Sequence, residues 1–371
     1  MTRKPRLLLV FGTRPEAIKM APVVQALAAR PGEAEHVVCV TAQHREMLDQ
    51  VLAWFAIEPD VDLNLMRPDQ TLPDLTARAL TGITKVIEDV QPDVVLAQGD
   101  TTTVMATALA AFYQRVPFGH VEAGLRTHDL YNPFPEEVNR HLASVLATYH
   151  FAPTRTAVDA LLAEGIDASQ IHQTGNTVID ALQWTVAQPH RLDLDLPLDG
   201  PERLILITAH RRESFGQEFE NICHALRQLA ERNPGVRLIY PVHLNPNVQE
   251  PVYRILSGVE RVHLIDPLPY PDFAHLMNRS TLIVSDSGGL QEEAPALGKP
   301  VLVMRQTTER PEAIEAGTAR LVGTDTQRIV TEAERLLDDP DAYAQMANAV
   351  SPFGDGHAAE RIVNILLKAK R

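Results

Sequence analysis

The sequence predicts an α/β protein made of two doubly wound domains. Three observations carry this. Short continuous apolar runs, of the kind that form buried parallel strands, alternate with longer segments of helical period. The alternation breaks once, over Ala187–Pro201, which is rich in Pro, Asp and Leu, and then starts again. Each half has an apolar run that ends in a glycine-bearing turn and opens into a helix. In the first half this is Phe11-Gly12-Thr13-Arg14-Pro15-Glu16, and in the second Asp286-Ser287-Gly288-Gly289-Leu290-Gln291-Glu292-Glu293.

In the first half the strands fall at Arg6–Val10, His36–Val40, Asp93–Ala97, Phe118–Val121 and His150–Ala152. The segments Glu16–Ala29, His44–Phe55, Leu72–Val90, Thr103–Tyr113 and Glu136–Thr148 carry helical spacing between them. In the second half the strands are Leu204–Thr208, Arg237–Val242, Val262–Ile265, Thr281–Ser285 and Pro300–Met304. Asp325–Leu337 and Ala358–Lys370 read as closing helices. The expected division is an N-terminal domain over 1–185, a C-terminal domain over 186–355, and a final helix at 356–371 that packs back on the first domain.

The chain has 371 residues, 45% hydrophobic and 22% charged, as soluble globular proteins do. Its formal charge of −14 argues against a general nucleic-acid binder, which needs basic surface to neutralise phosphates. An anionic ligand would need a local cationic pocket. Cys39 and Cys223 both lie in apolar segments and read as buried free thiols. No Cys or His spacing suits a metal, no nicotinamide fingerprint appears, and no apolar run approaches ~20 residues. A cytoplasmic protein without metal or cofactor is expected.

Turns at the carboxyl ends of parallel strands are where doubly wound sheets bind ligands. At Ser287-Gly288-Gly289 the glycines let the backbone approach a ligand, and the helix that follows offers free N–H groups to an anion. Ser287 suits either the helix cap or a phosphate oxygen. Glu292 or Glu293 would accept from ribose hydroxyls, or both are solvated acids. In the first half Arg14 stands in the turn itself, where a cation would clamp a pyrophosphate, with Pro15 in the first helical turn and Lys19 one turn on. Asp100 in Gln98-Gly99-Asp100-Thr101-Thr102-Thr103 suits a reacting acid or a helix cap. Glu122 follows the next strand in His120-Val121-Glu122-Ala123-Gly124-Leu125-Arg126-Thr127, and strand alternation sends His120 and Glu122 to one face together. Glu136 opens a helix, where acids also favour the dipole. Acids on neighbouring loops can divide acid and base roles. In the second half His210, Arg211, His243 and Arg310 follow strands and supply positive charge. Two such halves facing a cleft suit a nucleotide-sugar enzyme.

Taken in order, these segments, with Thr-Gly-Asn-Thr-Val-Ile-Asp-Ala at 174–181 and His-Arg-Arg-Glu at 210–213, closely resemble the non-hydrolysing bacterial UDP-N-acetylglucosamine 2-epimerases. The resemblance runs from about residue 6 to about residue 365. It implies two Rossmann-like domains in a GT-B-like arrangement, a homodimer, and interconversion of UDP-N-acetylglucosamine and UDP-N-acetylmannosamine. The implied mechanism is anti elimination of UDP to 2-acetamidoglucal followed by re-addition, with water excluded by domain closure. On this resemblance Asp100, Glu122, Glu136 and His210 are catalytic. Arg14, Lys19, Phe273, Ser287, Gly288, Gly289, Glu293 and Arg310 bind the UDP moiety and substrate, with Phe273 by the uracil. A second, activating UDP-N-acetylglucosamine site would use Gln43, Gln70, Arg211 and His243, although Glu46 and Asp69 depart from the pattern of members that have one. The rival readings are a hydrolysing relative that releases N-acetylmannosamine, a glycosyltransferase of the same architecture, and a non-catalytic binder.

Overall fold

In the computed structural model, residues 3–41, 45–67, 69–194, 196, 198 and 200–368 are described. The chain forms two compact units, Met1–Ala181 with Phe353–Arg371, and Leu182–Pro352.

The first unit is built on seven parallel strands: β1 (Arg6–Phe11), β2 (Glu35–Val40), β3 (Val61–Asp62), β4 (Val94–Gln98), β5 (Phe118–Val121), β6 (Tyr149–Ala152) and β7 (Ile171–Gln173). Their order across the sheet is β3-β2-β1-β4-β5-β6-β7. Leu8 and Val10 on β1, Val95 and Ala97 on β4 and Phe118 on β5 are buried in one apolar core with Ala79, Ile83 and Ile87 of the helix Leu72–Val90. Helices on both faces leave these strands no solvated side, which is why they read as unbroken apolar runs. The order reverses between β1 and β4. At such a switch point the helices after the two strands diverge and leave a crevice at the carboxyl ends.

The second unit repeats the plan with six parallel strands: β8 (Arg203–Thr208), β9 (Val236–Pro241), β10 (Val262–Ile265), β11 (Leu282–Ser285), β12 (Val301–Val303) and β13 (Ala319–Leu321). The order is β10-β9-β8-β11-β12-β13, with its switch between β8 and β11. Ser285 pairs with Thr208, so the turns after these two strands start level with each other. Phe219, Ile222, Leu226 and Leu229 of the helix Gln217–Arg232 pack on Ile205, Leu238 and Val284. Each fully buried Leu or Ile of this kind contributes about 1.5–3 kcal/mol.

The strands expected from the sequence are present, most of them within one or two residues. Three more, β3, β7 and β13, lie at sheet edges and are two or three residues long. They are too short to show a period and are only partly buried. The last helix, Ala358–Lys368, packs in the first unit. Asp180 caps it, accepting from the amides of Ala358 (3.2 Å) and Ala359 (2.8 Å), and Arg30 donates to Asn364 at 2.5 Å. Cys39 and Cys223 are free and buried, and burial pushes both thiols up to about 12. Among the described residues no helix is long and apolar enough to cross a membrane, and no cluster of three or more His, Cys, Asp or Glu could hold a metal.

Candidate functional site

In the first unit the turns after β1, β4 and β5 are bonded to one another. Thr13 caps the helix Arg14–Ala28, and Glu16 completes a capping box. The Glu16 carboxylate does more than cap. It accepts from the amides of Gly12 (2.8 Å) and Thr13 (2.7 Å) and from the Thr101 hydroxyl (2.5 Å), so it joins the turn after β1 to the turn after β4. Burial raises its carboxyl above the ordinary value, against the pull of those donors. Gly12 admits no side chain, since a Cβ there would meet the Thr41 hydroxyl at 1.9 Å.

Glu122 lies one residue past β5, with φ +64° and 7% exposure. Lys19 Nζ donates to both of its oxygens, at 2.7 and 2.6 Å. Asn176 Nδ2 donates to Oε1 at 3.0 Å and Gln98 Nε2 to Oε2. His120 and Glu122 both come to the turn at Gly99, where a Cβ on Gly99 would lie 4.0 Å from Glu122 Oε2. Glu122 takes a positive φ just past the strand, and His120 Nε2 reaches the Gly99 carbonyl at 2.7 Å. Burial lowers the His120 pKa to about 4, so the ring is neutral and its Nε2–H donates to that carbonyl.

Asp100 does not cap the next helix. Thr101 does, leaving the Asp100 side chain for another partner. Arg140 donates to Asp100 Oδ2 through Nε (3.0 Å) and Nη2 (2.7 Å), and Asn139 Nδ2 donates to the Asp100 carbonyl at 2.9 Å. Arg140 Nη1 also reaches Glu137 Oε2 at 2.9 Å. Glu137 is fully buried, and its Oε1 accepts from the amides of Thr127 and His128, both at 3.0 Å. Burial alone would raise the Glu137 carboxyl, but these amides and Arg140 together hold it below its ordinary value. Glu136 sits beside it in the first turn of Glu136–Leu146, half-buried, with no hydrogen bond or ion pair among the described residues. The Asn132–Pro133 and Phe134–Pro135 bonds ahead of this helix are cis. Arg14 is exposed in the first turn of its helix.

In the second unit the organising group is Asp286, fully buried after β11. Its Oδ2 accepts from the amides of His210 (2.6 Å) and Arg211 (2.7 Å), which fastens the turn after β8 to the turn after β11. His210 Nδ1 stands 3.7 Å from Asp286 Oδ1, and its ring stacks on His243 with centroids 5.1 Å apart. Burial lowers the His210 pKa, with Asp286 opposing and His243 and Arg211 adding to the fall. The imidazole is therefore neutral at pH 7.

Ser287 stands at the cap position of Gly288–Ala296, but its hydroxyl makes no capping bond. A Cβ built on Gly288 would meet only Arg211 Nη2 and Glu309 Oε2, both at 3.7 Å. A side chain at this helix start would make only ordinary contact with a guanidinium and a carboxylate. A Cβ on Gly289 would come 3.2 Å from Glu293 Oε1. Glu292 is not a solvated acid: it is buried and ion-paired with Arg310 Nε. Arg310, expected among the residues that bind the UDP moiety, is thus held against this helix. Phe273, half-buried in Tyr270–Arg279, has no aromatic partner among the described residues. Gln70 accepts from Arg78 Nη2 at 2.6 Å, and His243 Nδ1 accepts from the Asn245 amide at 3.1 Å. Gln43 lies outside the described residues.

Sequence reasoning missed a buried guanidinium. Arg305 lies between Glu213 (2.5 Å from Nε) and Glu309 (2.7 Å from Nη1). Its i,i+4 spacing to Glu309 was the available signal. Arg305 holds the Glu309 carboxyl down at about 2, from an ordinary 4.5. The folded pKa is the depressed one, so this stabilisation is complete above about pH 4.5 and is lost as pH falls toward about 2. Arg305→Met is expected to lower stability at pH 7 by about 1–2 kcal/mol, less than a fully buried pair would cost because both glutamates are half-exposed. Urea unfolding at pH 7 and pH 3 checks it, and the difference between variant and parent should shrink at pH 3.

Residues 25–367 match the protein family described as UDP-N-acetylglucosamine 2-epimerase. The chain is 58% identical to the UDP-N-acetylglucosamine 2-epimerase of Escherichia coli K12 over 369 residues, covering 97% of this chain and 98% of that one. It is similar to a crystal structure of a UDP-N-acetylglucosamine 2-epimerase, with a TM-score of 0.91 and 49% identity over 100% of this chain and 98% of that chain. It is also similar to the crystal structure of the UDP-GlcNAc 2-epimerase of Neisseria meningitidis bound to UDP-GlcNAc. There the TM-score is 0.85 and the identity 50%, over 98% of this chain and all of that one.

Proposed function

The chain belongs to the UDP-N-acetylglucosamine 2-epimerase family, and on that premise we propose that it interconverts UDP-N-acetylglucosamine and UDP-N-acetylmannosamine. The observation that carries the reading is Glu122, a nearly buried carboxylate at a strand end that is oriented by an ammonium and two amides. Charges are rarely buried this way without a task.

In the proposed reaction the sugar C1–O bond breaks with its electron pair leaving on UDP. A carboxylate takes the proton from carbon 2, and a double bond forms between carbons 1 and 2. UDP then adds back while a proton is delivered to the opposite face. No carbonyl activates that C–H bond, so departure of UDP must drive its cleavage. Asp100, Glu122 and Glu136 are assigned the proton transfers, with Asp100 oriented by Arg140. In the second unit the start of Gly288–Ala296, the Ser287 hydroxyl and Arg211 would hold the diphosphate. His210, neutral and beside Asp286, would donate to the leaving oxygen as charge develops there. Glu293 would hold the ribose, and Phe273 would lie by the uracil. Arg14 and Lys19 would add charge on the first unit. A homodimer in the cytoplasm that feeds cell-surface polysaccharide synthesis belongs to the same proposal; light scattering of the purified protein tests the dimer.

Proton NMR with UDP-N-acetylglucosamine in deuterated water tests the reaction. UDP-N-acetylmannosamine should appear, and deuterium should replace the proton on carbon 2 in both nucleotide sugars. Accumulation of free N-acetylmannosamine and UDP would instead mark a hydrolase.

A further inference from the structure

We infer that Asn176 is a positioning residue, fixing the Glu122 carboxylate and fastening it to both places where the chain passes between its units. The inference rests on the assignment of Glu122 to proton transfer.

Asn176 is 2% exposed, and each polar group of this one residue has its own task. Its Nδ2 donates to Glu122 Oε1 at 3.0 Å. Its Oδ1 accepts from the Val178 amide at 3.2 Å, capping the helix Thr177–Ala187. Its backbone N–H donates to the Phe353 carbonyl at 2.7 Å. The two side-chain partners, a carboxylate and an amide N–H, leave only one way round for the Asn176 amide. The chain leaves the first unit after Ala181 and re-enters it at Phe353. Those strands of chain meet at Asn176 with almost no spare room. A Cβ on Gly175 would lie 3.2 Å from the Gly354 Cα, and one on Gly354 would lie 3.4 Å from the Asn176 nitrogen. Gly175 holds φ +88° and Gly354 φ +133°, a region that favours glycine.

Gln98 and Asn176 each take one Glu122 oxygen and Lys19 Nζ takes both, so the three together set the plane of the carboxylate. Losing the Asn176 amide leaves Oε1 to Lys19 alone, loosens that plane and withdraws a hydrogen bond that favours the charged form. A carboxylate turned away from its reacting proton loses rate without losing affinity for the rest of the substrate.

The test is Asn176→Ser, because serine keeps the helix cap but has no amide donor to reach Glu122. Turnover should fall about tenfold with KM within about threefold, as expected for one hydrogen bond to a charged group. The limb of the pH–rate profile set by Glu122 should move to higher pH, and the thermal midpoint should stay near that of the parent. Asn176→Thr, which also keeps a capping hydroxyl and has no amide donor, should move the same limb upward and serves if the serine variant folds poorly. Parent-like turnover, or a loss of turnover with the limb unmoved, overturns the inference. Glu122→Gln is measured alongside. If that variant keeps parental turnover, the assignment of Glu122 is wrong. If it is inactive while Asn176→Ser behaves like the parent, only the role of Asn176 falls.

Discussion

Turnover of Asp100→Asn is expected to fall by about 10²–10⁴-fold, while affinity for UDP stays within about twofold. Asparagine matches aspartate in shape and keeps one oxygen for Arg140, so the turn after β4 should hold. That turn is also secured without the carboxylate, through Asn139 to the Asp100 carbonyl and Thr101 to Glu16. What disappears is an ionisable group whose Oδ2 takes both Arg140 donors. Steady-state kinetics with titration calorimetry of UDP separates the two effects. Turnover near the parent's would remove Asp100 from the proton transfers. Weakened UDP binding would mean that Asp100 acts on the nucleotide instead.

Gly288→Ala is expected to weaken UDP binding by about 10–100-fold with little change in folding, the cost of blocking an anion at a helix start. The argument turns on which atoms a methyl group would meet. Both protein atoms within reach lie at 3.7 Å, an ordinary contact, and the backbone at Gly288 is already helical. Alanine also favours a helix over glycine by about 1 kcal/mol. The protein itself therefore gives no reason for glycine here. An external anion lying on the first amides of the helix would. Calorimetry of UDP with the variant decides the matter, and unchanged affinity would place the diphosphate elsewhere.

What the sequence disclosed follows from how each feature is encoded. Buried parallel strands declare themselves as apolar runs, and the turns after them carry Gly, Ser and Asp in short order, so the ligand-binding ends of the strands could be read directly. The edge strands β3, β7 and β13 are too short to carry a pattern. Partnerships were harder. Lys19 and Glu122 are 103 residues apart, and Asp100 and Arg140 are 40 apart. Nothing in the intervening chain announces either pair, because the sheet order brings them together. Glu16 was visible only as a helix-start acid, and Glu292 only as a ribose acceptor or a solvated acid. Their burial depends on what lies across the sheet, Thr101 in one case and Arg310 in the other.

Asp180 and the helix it caps bear on the order in which the protein is made. The first unit is discontinuous, with the whole second unit inserted between Ala181 and Phe353. Ile362, Val363 and Leu366 of the final helix are buried in it. A ribosome delivers Leu182–Pro352 as one uninterrupted stretch, and that unit has every strand it needs before synthesis ends. The N-terminal unit must wait for Ala358–Lys368, with the surface meant for that helix still bare until it is made. Vectorial folding here runs against the usual rule that N-terminal domains finish first. A stop codon just after Pro352 would spare the second unit and strand the first.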